Sequence, residues 1–139
     1  MVTETPGELA PLSVRVYLED TDAGGVVYHA SYLRFMERAR TELLRATGVE
    51  QSATFDEDLS FVLHAMELRF VRPAKLDDLV HVTCRLASGR AASLTFDQEV
   101  RPAGGGDPYC TAQAHVACIS LRTGRPRRIP AELRAALQP

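Results

Sequence analysis

Titratable side chains are densest in one stretch, Asp20-Thr21-Asp22-Ala23-Gly24-Gly25-Val26-Val27-Tyr28-His29. Two carboxylates precede a pair of glycines there, and a helical pattern begins at about His29 or Ala30. Glycines let a backbone come close to a ligand, and the first turn of a helix presents N–H groups with no partner and a partial positive charge. Such donors suit the oxyanion that forms when an acyl carbonyl is attacked. A carboxylate beside the same carbonyl can serve as nucleophile or as general base toward water. The same residues also have a plainer use, since aspartate before glycine makes turns and an acid near a helix start complements the dipole. Spacing alone leaves both uses open and does not separate Asp20 from Asp22.

Other chemistries find less support. His29, His64, His81 and His115 lie on separate elements with no HxH or HxxxH pair, so no metal set is expected. His64 falls in phase with Val62, Met66 and Leu68 and is expected to face the core. Cys84, Cys110 and Cys118 are an odd number without a CxxC, inside apolar or alternating runs, and read as small buried hydrophobes. There is no GxSxG and no Walker-type loop, and Gly104-Gly105-Gly106 fits a hairpin tip.

The elements that must position the acidic segment follow from periodicity. Val14, Val16 and Leu18 alternate with Arg15, Tyr17 and Glu19, predicting a strand from Ser13 after a flexible tail over residues 1–12. A helix over about Ala30 to Thr47 carries a wide apolar stripe of Tyr32, Met36, Ala39, Leu43 and Ala46, broadened by Leu33, Phe35 and Leu44. Arg34, Glu37, Arg38, Arg40, Glu42 and Arg45 fill its other face, and Gly48 supplies a left-handed stop. A polar stretch with a short helix near Val49 to Glu57 comes next. Four alternating runs follow, around Val62–Val71, Val80–Leu86, Leu94–Val100 and Cys110–Cys118. They are separated by Pro73 with Asp77-Asp78, by Ser88-Gly89-Arg90 and by Gly104–Pro108. Consecutive hairpins make these strands antiparallel, and a sheet curling around the one long helix buries that helix. Pro130-Ala131-Glu132-Leu133 starts a short terminal helix.

Length and composition fit this plan. The chain has 139 residues, 45% apolar and 24% charged, with a net charge of −2, so residues 13–139 form a single domain. That balance argues against bulk binding to nucleic acid or an anionic membrane. No apolar run is long enough to span a bilayer and no signal peptide is evident, which predicts a cytoplasmic protein without membrane insertion.

The run Val14 to Leu33, continued by Glu37-Arg38-Ala39-Arg40-Thr41-Glu42 and by Arg72-Pro73-Ala74-Lys75-Leu76-Asp77-Asp78, resembles the 4-hydroxybenzoyl-CoA thioesterase family. Within that family it is most similar to the acyl-CoA thioesterase branch associated with the Tol-Pal system of Gram-negative bacteria. The likeness extends from about Ser13 to Leu121. It implies an α+β hot-dog fold, a five-stranded antiparallel sheet wrapped around one long central helix. It also implies hydrolysis of an acyl-CoA thioester without metal or other cofactor. The family's catalytic aspartate falls on Asp22, its backbone oxyanion donor on the His29 N–H, and its loop glycine on Gly25. Glu37 is expected to be a buried hydrogen-bonding or interface residue rather than a catalytic one, and Tyr32 a core residue. The substrate positions are Tyr28, Arg72, Arg90 and Ser93, the last two by analogy with the family's turn between the third and fourth strands. Lys75, Arg85 and the basic tail Arg122, Arg125, Arg127 and Arg128 are further candidates for the CoA phosphates.

Two other readings compete. One is a non-catalytic module that binds acyl chains or acyl carrier protein, and the other is a hot-dog dehydratase, which calls for a histidine and acid pair across a dimer. Acyl carrier protein is also a candidate partner of the thioesterase. A single curved sheet leaves edges and a face to cover, which predicts a homo-oligomer, a dimer or tetramer.

Overall fold

The computed structural model describes residues 7–48, 54 and 57–137. The chain runs through strand β1 (Glu8–Arg15), a short 3-10 turn (Leu18–Asp20), helix α1 (His29–Ala46) and strands β2 (Ser60–Phe70), β3 (Leu79–Gly89), β4 (Ser93–Pro102) and β5 (Cys110–Ile119). A second helix, α2, spans Ala131–Leu137. The strands form one five-stranded antiparallel sheet in the order β1-β3-β4-β5-β2. The strand count and antiparallel sense are as expected, but β2 and β3 do not form the expected hairpin. β2 pairs with β5 at one edge and β3 with β1 and β4, so the segment through Pro73 and Asp77-Asp78 crosses between strands instead of turning tightly. The short helix expected near Val49 to Glu57 falls mostly outside the described residues.

Helix α1 forms because its apolar residues recur at three- and four-residue steps and it contains neither proline nor glycine. Tyr32, Phe35, Met36, Ala39, Leu43 and Leu44 are buried along it. It packs principally on β3, β1 and β4, against Val80, Val82 and Cys84 of β3, Phe96 and Val100 of β4, and Val16 after β1. It stops as expected, with Thr47 at the cap and Gly48 at φ +91° donating its N–H to the Arg45 carbonyl at 3.0 Å. Helix α2 and the residues before it close the core beside the β3–β4 hairpin through Ile129, Leu133 and Leu137, with the Ile129 N–H donating to the Ala91 carbonyl at 2.8 Å.

Five further details depart from the sequence pattern. Strand β1 begins at Glu8, with its register shifting between Leu9 and Leu12, so residues 8–12 belong to the sheet and not to a tail. The shift lies at Ala10-Pro11, where proline removes a ladder donor and the alternation is lost. The strand also ends at Arg15, and Leu18 sits 74% exposed in the 3-10 turn instead of facing the core.

Arg40 is buried rather than on the polar face of α1. Its Nη1–H donates to Gln98 Oε1 at 2.8 Å, while Gln98 Nε2 donates to the Met36 carbonyl at 2.9 Å. Burial pulls the guanidinium pKa below its ordinary value. Glu37, one turn earlier, is exposed in the single chain and not buried.

In β2 the pairing with β5 shifts between Leu63 and Ala65, leaving His64 in a bulge. Leu63 opposes buried Val116, and beyond the bulge Met66 opposes buried Ala114. Residues directly opposite share a face, so Leu63 and not Val62 continues the helix-facing row, and His64 is exposed rather than turned to the core.

Candidate active site

The acidic loop is held in place by its own backbone and by the segment after β2. Val26 bridges to Lys75, and Val27 N–H donates to the Ala74 carbonyl at 2.9 Å. The loop closes on itself through Thr21 and Val27, with Asp22 N–H donating to the Val26 carbonyl at 2.9 Å. Gly25 sits at φ +77° with open space where a Cβ would project, so its requirement is the left-handed backbone itself. Gly24 is different, since a Cβ there would lie 3.3 Å from Asp22 Oδ1.

The two aspartates have separate surroundings. Asp20 is buried, and its Oδ2 accepts the Tyr17 N–H at 2.9 Å. Its carbonyl accepts the Tyr28 N–H at 2.9 Å and the Ser31 hydroxyl at 3.0 Å, which fixes the chain entering α1. Asp22 is exposed, and its Oδ1 accepts the Gly24 N–H at 2.8 Å. Among the described residues nothing donates to its Oδ2.

Asp22 lines a cleft of about 360 Å³ whose near wall is Val27, His29 and Tyr32 and whose far wall is Phe70, Val71, Arg72 and Pro73. His29 opens α1. Tyr28 before it gives no side-chain cap, and the first turn holds no acid. The side chains that usually satisfy a helix N-terminus are therefore missing. The His29 N–H has no intrahelical acceptor, and no described residue accepts from it. The His29 ring lies against Tyr28, with centroids 4.4 Å apart, and edge-on to Phe70 at 6.5 Å. Tyr32 is core-buried as expected, with its hydroxyl accepting the Ala74 N–H at 3.1 Å, yet one side of it also faces the cleft.

The expected site residues divide. Asp22, His29 and Arg72 share the cleft, with Gly25 in the same loop and Tyr28 packed against His29. Arg90 and Ser93 do not join them within one chain. They lie in the β3–β4 hairpin, with the Arg90 N–H donating to the Ser93 carbonyl at 2.8 Å. The cleft is toward the far end of the ten-residue β4, where Val100 pairs with Cys110 and Cys110 with Phe70, roughly 23 Å from Ser93 at strand rise. Arg85 is bound to Asp97 at 2.5 Å on the opposite sheet face. Arg122 pairs with Asp58 at 3.5 Å, and Arg127 donates to the Glu57 and Asp58 carbonyls. Phe70, 53% exposed, is the cleft residue that periodicity hid, because it reads as one more apolar strand position.

The three cysteines are buried as expected. Burial pushes the Cys84 thiol up to about 12 and Cys110 to about 11, which removes them as thiolate nucleophiles near neutral pH. No group of three or more metal-ligating side chains occurs among the described residues.

A five-stranded antiparallel sheet packed around one long helix is the hot-dog fold, and on it Asp22 and the uncapped start of α1 face one cleft. The chain belongs to the thioesterase-like superfamily, whose family model matches residues 16–137. It is 44% identical over 117 residues to the acyl-CoA thioester hydrolase YbgC of Escherichia coli, covering 84% of this chain and 87% of that one. The crystal structure of a probable thioesterase from Bartonella henselae superposes with a TM-score of 0.80 at 39% identity, covering 87% and 98% of the two chains. A 1,4-dihydroxy-2-naphthoyl-CoA thioesterase from Synechocystis superposes with a TM-score of 0.87 at 25% identity, covering 94% and 96%.

Proposed function

We propose that this protein hydrolyses acyl-CoA thioesters to the free acid and CoA, with Asp22 as the reacting carboxylate. The observation that carries the reading is the placing of Asp22 and the uncapped start of α1 on one cleft. The thioester carbonyl sits with its oxygen toward the His29 N–H. That donor strengthens its hold as the carbonyl becomes an oxyanion in the tetrahedral intermediate. Gly25 keeps the loop in the turn that aims Asp22 at the carbonyl carbon, and Tyr28 flanks the entering acyl group.

Two routes lead from there. Asp22 Oδ2 attacks the carbonyl carbon, CoA leaves as thiolate, and water cleaves the resulting anhydride. Alternatively Asp22 takes a proton from the attacking water. Single turnover in ¹⁸O-water separates them, because label in the enzyme carboxylate requires the covalent route. Hydrolysis itself is read by thiol release from a panel of acyl-CoAs. No release from any of them, combined with tight binding of acyl-CoA or acyl carrier protein, would replace this reading with a binding module. Acyl carrier protein thioesters are a second source of the same thioester.

A second copy of the chain completes the assembly we propose. β2 is an eleven-residue edge strand, and its helix-facing Leu63 and Phe70 are 42% and 53% exposed. Pairing through that edge would cover both, and apposed outer sheet faces would give a tetramer. We place the enzyme in the cytoplasm of a Gram-negative cell, in company with the Tol-Pal machinery. No helix among the described residues is long and apolar enough to cross a membrane.

A further inference from the structure

Arg72 stands out among the cations because it is fixed without an acid. Its Nη2–H and Nε–H both donate to the Asp107 carbonyl, at 2.7 and 3.3 Å. Its Cζ lies 4.5 Å above the centroid of the Tyr109 ring. The backbone is held from the same side, with the Arg72 N–H donating to the Tyr109 carbonyl at 3.3 Å. Gly105 and Gly106, at φ +93° and +110°, turn the β4–β5 hairpin so that the Asp107 carbonyl meets the guanidinium. Tyr109 is itself buried and anchored, its hydroxyl donating to Asp78 Oδ2 at 3.4 Å.

A carbonyl and an aromatic face orient a guanidinium while leaving its full charge unneutralised. Among the described residues no carboxylate pairs with Arg72, and its Nη1 donors have no partner. The side chain is exposed on the wall of the cleft that holds Asp22. Resting on the thioesterase reading, the anions that every acyl-CoA substrate shares are the phosphates of CoA, whatever its acyl group.

We propose that Arg72 is a subsite for the phosphate-bearing half of CoA, and that Tyr109 and the Asp107 carbonyl are the positioning groups that preset it. Tyr109 is then a residue of substrate affinity, though it touches no substrate.

The test compares an acyl-CoA with the same acyl group on N-acetylcysteamine, which keeps the thioester and lacks the phosphates. Arg72→Ala raises KM for the acyl-CoA about tenfold with little change in kcat, the loss expected of a charge-assisted contact. The penalty disappears on the truncated thioester. Tyr109→Leu raises KM for the acyl-CoA about threefold, a cation–π loss, and adds nothing in the Arg72→Ala background. Tyr109→Phe, which keeps the ring, restores the wild-type KM. Calorimetry of free CoA binding shows the same order of variants and needs no turnover. A wild type that binds CoA through Arg72 yet hydrolyses no thioester would sink the hydrolase reading and leave this subsite standing. An equal Arg72→Ala penalty on both thioesters, or a Tyr109→Leu effect that persists without Arg72, would overturn the subsite.

Discussion

Asp20 and Asp22 are two residues apart, one buried and bonded to the Tyr17 N–H and the other exposed on the cleft. One substitution can separate the roles proposed for them. Asp20→Ala removes the acceptor of the Tyr17 N–H while leaving the Asp20 carbonyl to hold Tyr28 and Ser31. Loss of a hydrogen bond to a charged group costs about 2 kcal/mol. Spread over the unfolding entropy of a 139-residue chain, that lowers Tm by about 7 °C. Asp20→Asn keeps an acceptor oxygen and loses about half as much. Because the carbonyl contacts survive, the start of α1 keeps its place, and kcat measured well below the melting transition stays within about threefold of wild type, far short of the loss of an acid–base group. Scanning calorimetry gives the first quantity and initial-rate kinetics the second. An Asp20→Ala protein with unchanged Tm and kcat reduced about a hundredfold would move the chemistry to Asp20 and refute the division, since losses of that size belong to catalytic groups.

Gly25→Ala costs about 1–2 kcal/mol through φ +77° alone, and Gly25→Asn costs less, which denaturant melts of both variants will rank. Gln98→Leu leaves the buried Arg40 guanidinium without its acceptor and destabilises by about 3 kcal/mol. Adding Arg40→Met recovers most of that loss, and a double-mutant cycle from urea titrations measures the coupling. The Cys84 thiol is kept neutral by the fold, so its contribution is complete below the unfolded pKa of 9.0 and is lost as pH rises toward about 12. Stability measured against pH across that window falls by about 1.4 kcal/mol per unit for this group, and Cys84→Ala flattens the slope.

Much of the fold was legible because it is written in local periodicity. The 3.6-residue stripe of α1, the left-handed Gly48 and the alternation of β3, β4 and β5 each survive translation into structure. Where the chain breaks period, the pattern misleads. The bulge at His64 moves Leu63 into the row that Val62 was expected to occupy, and Pro11 hides the start of β1. Arg40 reads as surface because its charge says so, and only the facing Gln98 on β4 explains its burial. The site divides in the same way. Asp22, Gly25 and His29 are contiguous, so sequence found them together. Phe70 reaches the cleft from a strand more than forty residues away in the chain, and Arg90 was assigned to it by a turn that the sheet carries to the opposite end.

The Asp22 carboxylate is the group proposed to perform the chemistry, and its removal is the decisive test. Asp22→Asn keeps an oxygen for the Gly24 N–H, so the loop and Tm should be preserved while the nucleophile or base is lost. Its kcat for acyl-CoA hydrolysis is expected to fall about a thousandfold across a substrate panel. Near wild-type turnover by a folded Asp22→Asn protein would contradict that proposal.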